Sequence, residues 1–144
     1  MKKNKKTFLV TGGTGFIGSG ICELLVKKKY KVKIFDNNSR GSLKRIKKII
    51  NKVTFIKGDI RNKKNLKKAI INTDAVIHLA YINGTKYFYS KPDLILDIAV
   101  KGIINVIDLC IENKIKELYL ASSSEVYQTP KKIPTNENES LKIP

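Results

Sequence analysis

The amino-acid sequence predicts an α/β fold in three αβα layers: a doubly wound parallel sheet with helices on both faces and strand order 3-2-1-4-5. Three observations predict it. Five short apolar, strand-like runs alternate with helix-like segments along the 144 residues, a pattern that parallel strands joined by crossover helices satisfy. A glycine-rich turn separates the first strand from the first helix. Residues able to carry chemistry cluster at the carboxyl ends of the strands, where ligands sit in sheets of this kind. Right-handed crossovers then select the strand order.

Each element has its own signal. Residues 6–11 are an apolar β run, and residues 16–28 are helical, with Ile17, Ile21, Leu24 and Leu25 placed on one face. Residues 31–36 alternate as a second strand. Turn formers fill residues 37–42, and residues 43–50 read as a short basic helix. A third strand at 53–57 and a third helix at 63–71 follow, then a fourth strand at 75–79 without charges apart from His78. A loop containing Gly84 leads to Pro92, which opens a long helix running to about residue 113. Residues 117–121 are the fifth strand, continuing into Ser122, Ser123 and Ser124. Prolines and polar residues make 129–144 an irregular loop.

Composition bounds the function. Hydrophobic residues make up 42% of the chain and are spread along it, as a globular core requires. No apolar run approaches the roughly 20 residues that span a bilayer, and residues 7–10 are too short for a signal-peptide core; a soluble cytoplasmic protein without a membrane partner is expected. Cys22 and Cys110 sit in helical patterns beside apolar residues and read as buried, reduced thiols without metal-ligand spacing. The single histidine, His78, excludes a multi-histidine metal site and reads as structural, so no metal is expected. The net charge of +17 raises the question of nucleic acid. The lysines, however, are dispersed over helix faces and chain ends, without the interleaved aromatics of a single-strand binder.

The strongest motif is Thr11-Gly12-Gly13-Thr14-Gly15-Phe16-Ile17-Gly18. Glycines at 12, 15 and 18 permit, in turn, a tight turn, a close approach of the backbone to a diphosphate, and close packing of the helix on the sheet. The N-terminus of that helix offers N–H groups and the positive end of a dipole to phosphates. Asp36 closes the second strand, 18 residues after Gly18. A carboxylate there accepts both hydroxyls of an adenosine ribose and repels a 2′-phosphate, which favours NAD over NADP. Arg40, four residues on, is the group that could instead bind such a phosphate.

In order along the chain stand Thr11 to Gly18, Asp36-Asn37, Gly58-Asp59-Ile60-Arg61, His78-Leu79-Ala80 and Ser122-Ser123-Ser124-Glu125-Val126-Tyr127. This ordered set resembles the extended short-chain dehydrogenases, the Rossmann-type NAD-dependent epimerases and dehydratases: sugar-nucleotide 4-epimerases, 4,6-dehydratases and UDP-glucuronate decarboxylases. The similarity runs from residue 7 to about 144. It implies that Gly12, Thr14, Gly15, Phe16, Ile17, Gly18, Asp36, Asn37 and Arg40 surround the cofactor. Asp59 and Ile60 would hold the adenine, and Leu79, Ala80 and Tyr81 would line the cofactor where the fourth strand ends. Ser123 matches the hydroxyl that bonds a sugar oxygen, with Ser124 as the second choice.

The resemblance also implies a nucleotide-sugar substrate, NAD as cofactor, and a homodimeric parent enzyme. Residues 1–128 would form the NAD-binding domain. Residues 129–144 would lead toward a catalytic helix, bearing Tyr-x-x-x-Lys, and a substrate domain, neither of which this sequence contains; the chain alone is then expected to be inactive. Tyr87 and Lys91 have that spacing, but they precede the serine strand and run into Pro92, which disfavours helix at Lys91. Ala99, Tyr81 and Gln128 depart from residues common in the family. Two other readings stay open: a non-catalytic Rossmann-like domain that binds RNA or a regulatory nucleotide, supported by the charge, and an interaction role for the helix at 92–113.

Overall fold

The computed structural model describes residues 5–82 and 84–142. Its sheet has the predicted architecture. Strands β1 (Thr7–Thr11), β2 (Lys31–Asp36), β3 (Thr54–Lys57), β4 (Ala75–His78) and β5 (Glu117–Leu120) lie in the order β3-β2-β1-β4-β5. Every neighbouring pair is parallel. The central strand β1 is buried along its whole length, whereas β5, at the sheet edge, has Tyr119 and Leu120 exposed. In the register Thr11 stands opposite both Phe35 and His78, so the carboxyl ends of β1, β2 and β4 finish level with one another.

Alternation along the strands splits the core in two. Leu9, Phe35 and Val76 point to one face and pack with Leu66, Ala69 and Ile70 of helix α2 (Lys63–Ile70) and Val106 and Leu109 of helix α5 (Gly102–Glu112). Phe8, Val10 and Ile34 point to the other, against Cys22 and Leu25 of helix α1 (Phe16–Lys27) and Ile46. Full burial of each such side chain is worth about 1.5–3 kcal/mol. Both thiols are buried, as their apolar neighbours predict. Burial pushes the Cys22 thiol up to about 12, with a smaller contribution from Asp36.

Four elements differ from the sequence reading. First, α1 is rotated from the predicted face, of which Leu25 is buried and Ile21 packs half-buried against the core. Gly18, Ser19, Cys22 and Leu25 are buried, while Ile17 and Leu24 are exposed. The seating of Gly18 against the preceding turn sets the helix rotation, and one residue corresponds to about 100° around the axis. Second, residues 43–50 are not one helix. Two 3-10 turns, Leu43–Ile46 and Ile50–Lys52, replace it, the first capped by Ser42 accepting from Lys44 N–H at 3.3 Å. Third, a short helix α3 (Thr85–Ser90) occupies part of the predicted loop after Gly84. Fourth, the predicted long helix is interrupted. Helix α4 (Pro92–Leu96) passes through one π-helical turn, Asp97–Lys101, into α5. π turns inside helices recur at functional sites.

Among the described residues no helix is long and apolar enough to cross a membrane. Residues 129–142 contain no helix or strand.

Candidate functional site

The turn between β1 and α1 is built on two close approaches. Gly12 has φ +71°, and a Cβ there would lie 2.8 Å from the Ala80 nitrogen. Its N–H donates to the Phe35 carbonyl at 2.9 Å, so the turn is tied to the ends of both flanking strands. At Gly18 a Cβ would lie 2.2 Å from the Gly12 carbonyl oxygen. The expectation that Gly18 packs the helix on the sheet is therefore corrected: Gly18 seats the helix on the turn itself. Gly15 begins α1 without a side-chain cap, and it lines a cleft at the carboxyl end of the sheet.

Thr14 is fully buried, and each of its polar groups has a partner inside the protein. Its N–H donates to Asp36 Oδ2 at 3.0 Å, its hydroxyl donates to Asn38 Oδ1 at 2.8 Å, and its carbonyl accepts from Ser42 N–H at 3.1 Å and from the Arg45 guanidinium at 3.4 Å. Thr14 thus pins the glycine turn to the loop after β2. Asp36 also accepts from Asn38 N–H at 2.8 Å, which fixes its carboxylate at the cleft wall. Arg40 lies over the Tyr87 ring, 5.8 Å from its centroid, bringing α3 against the same loop.

Beyond β3, residues 58–60 form the opposite wall. Asp59 Oδ1 accepts from the backbone N–H and Nε of Arg61 at 2.9 and 3.0 Å; Oδ2 accepts from Arg61 Nη2 at 2.8 Å and from Asn37 Nδ2 at 3.1 Å. The Arg61 hydrogen bonds hold the Asp59 carboxyl down at about 2. Ile60 is buried beside Gly102 of α5, whose missing Cβ would fall 2.3 Å from Ile60 Cδ1. Asn105 Nδ2 donates to the carbonyls of Ile60 and Arg61 at 2.9 and 3.0 Å.

At the end of β4, Thr11 Oγ1 accepts from the N–H groups of Leu79 and Ala80 at 3.2 and 3.3 Å. Its hydroxyl proton is then directed to His78 Nδ1 at 2.7 Å, which makes Nδ1 the acceptor of a neutral imidazole. Burial pushes the His78 pKa down to about 4. A second cleft, of about 930 Å³, opens beside this strand end and is lined by Tyr81, Phe88, Ala99, Ser123 and Ser124 among others. Ser123 Oγ accepts from Glu125 N–H at 3.2 Å and caps the 3-10 turn Ser124–Tyr127.

The first cleft gathers Gly12, Gly15, Asp36, Asn37, Arg40, Asp59, Ile60, Leu79, Ala80 and Tyr81 from the predicted set. Thr14, Phe16, Ile17 and Gly18 do not line it. Thr14 is turned inward, Gly18 is packed on the turn, and Phe16 and Ile17 project into solvent, 87% and 66% exposed. Sequence reasoning missed Ile98 and Ile82, which complete the apolar part of the wall. The π turn delivers Ile98 to this cleft and its neighbour Ala99 to the second. Tyr87 lies within α3, but Lys91 has φ −149° and ψ 55° and is not helical, as Pro92 predicts. Tyr127 and Lys131 share the same spacing, which escaped the sequence reading; Gln128, at φ 49°, breaks the chain direction between them. Tyr127 and Lys131 therefore do not stand one helical turn apart, whereas Lys91 caps α3, its N–H donating to the Tyr87 carbonyl at 2.9 Å. Among the described residues no group of His, Cys, Asp and Glu side chains is arranged to hold a metal ion.

A family model described as GDP-mannose 4,6 dehydratase matches residues 9–143. The chain belongs to this family. Its relatives include UDP-glucose 4-epimerase 2 of Arabidopsis thaliana, 32% identical over 94% of this chain and 41% of the relative. UDP-N-acetyl-alpha-D-glucosaminuronate decarboxylase of Bacillus cytotoxicus is 35% identical over 85% of this chain and 38% of its own length. Among solved structures, UDP-glucose 4-epimerase from Bifidobacterium longum, in complex with NAD+ and UDP, superposes with a TM-score of 0.84. It is 31% identical and matches 95% of this chain and 43% of that one. The chain thus spans about two fifths of the length of these family members, and its resemblance to NAD-dependent nucleotide-sugar epimerases and dehydratases is carried by their N-terminal, Rossmann-type portion.

Proposed function

We propose that this chain is the NAD-binding part of an epimerase or dehydratase acting on a nucleotide sugar. The observation that supports it best is the convergence of the Gly12–Gly15 turn, Asp36 and Asp59 on one cleft at the ends of β1, β2 and β3. In this reading Gly15 and the N-terminus of α1 face the diphosphate, since backbone N–H groups and the helix dipole favour an anion there. Asp36 holds the ribose hydroxyls. Its charge disfavours a 2′-phosphate, which makes NAD the cofactor rather than NADP. Ile60 and Ile98 offer apolar contact to the base, and Asp59, an acceptor-only carboxylate, faces its amine.

NAD, when bound, supplies the hydride acceptor that oxidises a sugar carbon transiently. The second cleft is the place for the sugar. Ser123 Oγ already accepts from Glu125 N–H, so its own proton is available to a sugar oxygen, with Ser124 beside it. The whole enzyme is read as a cytoplasmic homodimer. Because Tyr87 and Lys91 precede the serine strand and Gln128 breaks the chain direction between Tyr127 and Lys131, no turnover is expected from this chain by itself.

Titration calorimetry tests the reading. Folded chain should give heat with NAD and NADH and markedly less with NADP, and Asp36→Ala and Gly15→Leu should abolish the NAD response. No heat from folded wild-type chain, or an unchanged response in both variants, would sink it. Tight RNA binding with a steep salt dependence would favour the non-catalytic alternative instead.

A further inference from the structure

Asp59 is one wall of the first cleft, but the residue that shapes it stands behind that wall. Arg61 does not line the cleft; it faces the neighbouring groove with Asp97 and Lys101. From there its guanidinium grips Asp59 in a two-point fork, Nε to Oδ1 at 3.0 Å and Nη2 to Oδ2 at 2.8 Å. Its third nitrogen, Nη1, donates to Asp97 Oδ2 at 2.8 Å in the π turn. Asp97 is itself paired with Lys101 one turn on. Asn105 meanwhile holds the carbonyls of Ile60 and Arg61, so the backbone that carries Asp59 is gripped as well as its side chain.

With the backbone N–H of Arg61 and the amide of Asn37, Asp59 accepts four hydrogen bonds, about the full acceptor capacity of a carboxylate. Three come from Arg61. The fourth, from Asn37 Nδ2 at 3.1 Å, is the longest, is solvent-exposed, and comes from a residue that lines the cleft. It is the bond that an entering N–H donor can replace. A fork of this kind fixes the plane of a carboxylate, which a single ammonium cannot do.

We propose that Arg61 is a positioning residue for base recognition, holding the Asp59 carboxylate in the one orientation in which Oδ2 accepts from the exocyclic amine of an aminopurine nucleotide. The proposal rests on the nucleotide-binding reading of the first cleft. The fork and its tether to Asp97 set the direction of the acceptor, and Asn37 keeps it satisfied while the cleft is empty. Arg61 itself touches no ligand.

Calorimetry on the full chain with two probes tests this: NAD, and its hypoxanthine counterpart, in which a carbonyl oxygen replaces the amine. Wild-type chain should prefer NAD by about tenfold or more, the cost of facing an acceptor with an acceptor. Arg61→Met should bring the ratio close to one while leaving hypoxanthine-dinucleotide binding nearly unchanged, and Arg61→Lys should lie between. A loosened fold would weaken both probes in parallel, so parallel loss overturns the proposal. So does a wild-type ratio in folded Arg61→Met, or no preference in the wild type. If Arg61→Met does not fold, Arg61→Lys decides: a reduced ratio supports the proposal and an unchanged one overturns it. Wild-type chain that binds neither dinucleotide would remove the nucleotide reading and this inference with it, a result distinct from binding without preference.

Discussion

The Thr14 N–H donates to Asp36 Oδ2 at 3.0 Å, joining the glycine turn to the end of β2 across 22 residues of sequence. The carboxylate therefore has two tasks. It holds the turn, together with the Asn38 N–H at 2.8 Å, and it presents charge to the cleft. Asp36→Ala should lose both: two N–H groups lose their acceptor, costing about 1–3 kcal/mol, and NAD binding should fall below detection. Asp36→Asn keeps an acceptor oxygen but no charge. It should cost less stability and should narrow the preference for NAD over NADP. Chemical denaturation and calorimetry on the two variants separate these effects.

The glycines of α1 should respond in opposite directions. A Cβ at Gly18 meets the Gly12 carbonyl at 2.2 Å, with no flexible side chain to yield, whereas a Cβ at Gly20 has nothing within 4 Å. Gly18→Ala should destabilise by about 1–3 kcal/mol through overpacking. Gly20→Ala, at an exposed helical position, should stabilise by up to about 1 kcal/mol. Thermal melts of the two variants check the sign of each.

Acid should weaken the fold in two stages. Neutral His78 is favoured by burial, with its pKa down at about 4 against an ordinary 6.5. The unfolded chain therefore takes up a proton first, and the His78 contribution, present above pH 6.5, is lost as pH falls toward 4. Asp59, held at about 2 by the Arg61 hydrogen bonds, contributes stability above its ordinary 3.8 that is lost as pH falls toward 2. The two contributions are of the order of 3 and 1–2 kcal/mol. Denaturant midpoints measured from pH 7 to pH 3 should fall in wild-type chain. They should fall less between pH 6.5 and 4 in His78→Gln.

Gly102 reaches the cleft at one remove. Its missing Cβ leaves room for Ile60 Cδ1, the end of a flexible side chain, and Ile60 lines the wall. Gly102→Ala should cost under about 1.5 kcal/mol of stability, because that end can move. The displaced Ile60 should nevertheless weaken NAD binding several-fold. A melt and a titration on the same variant show whether affinity falls further than stability.

Much of this was written locally. Alternating apolar runs determined the five strands and their order, because a strand buried on both faces has to be apolar and a parallel neighbour has to be reached by a crossover. Gly12 and Gly15 marked the turn, and Asp36 marked the end of β2, since turn geometry and strand ends depend on adjacent residues. What the chain pattern did not contain was partnership across distance. Of the predicted apolar stripe of α1, Leu25 and Ile21 face the core, but Ile17 and Leu24 do not, because the helix rotation followed from where Gly18 met Gly12. Thr14 was drawn inward because Asp36, Asn38 and Ser42 all converge on it. The π turn that sends Ile98 to the first cleft and Ala99 to the second, and the Arg61 guanidinium that joins Asp59 to Asp97, exist only once α5 is docked beside the end of β3. Periodicity records whether a residue is buried; which side chain meets it is decided by packing.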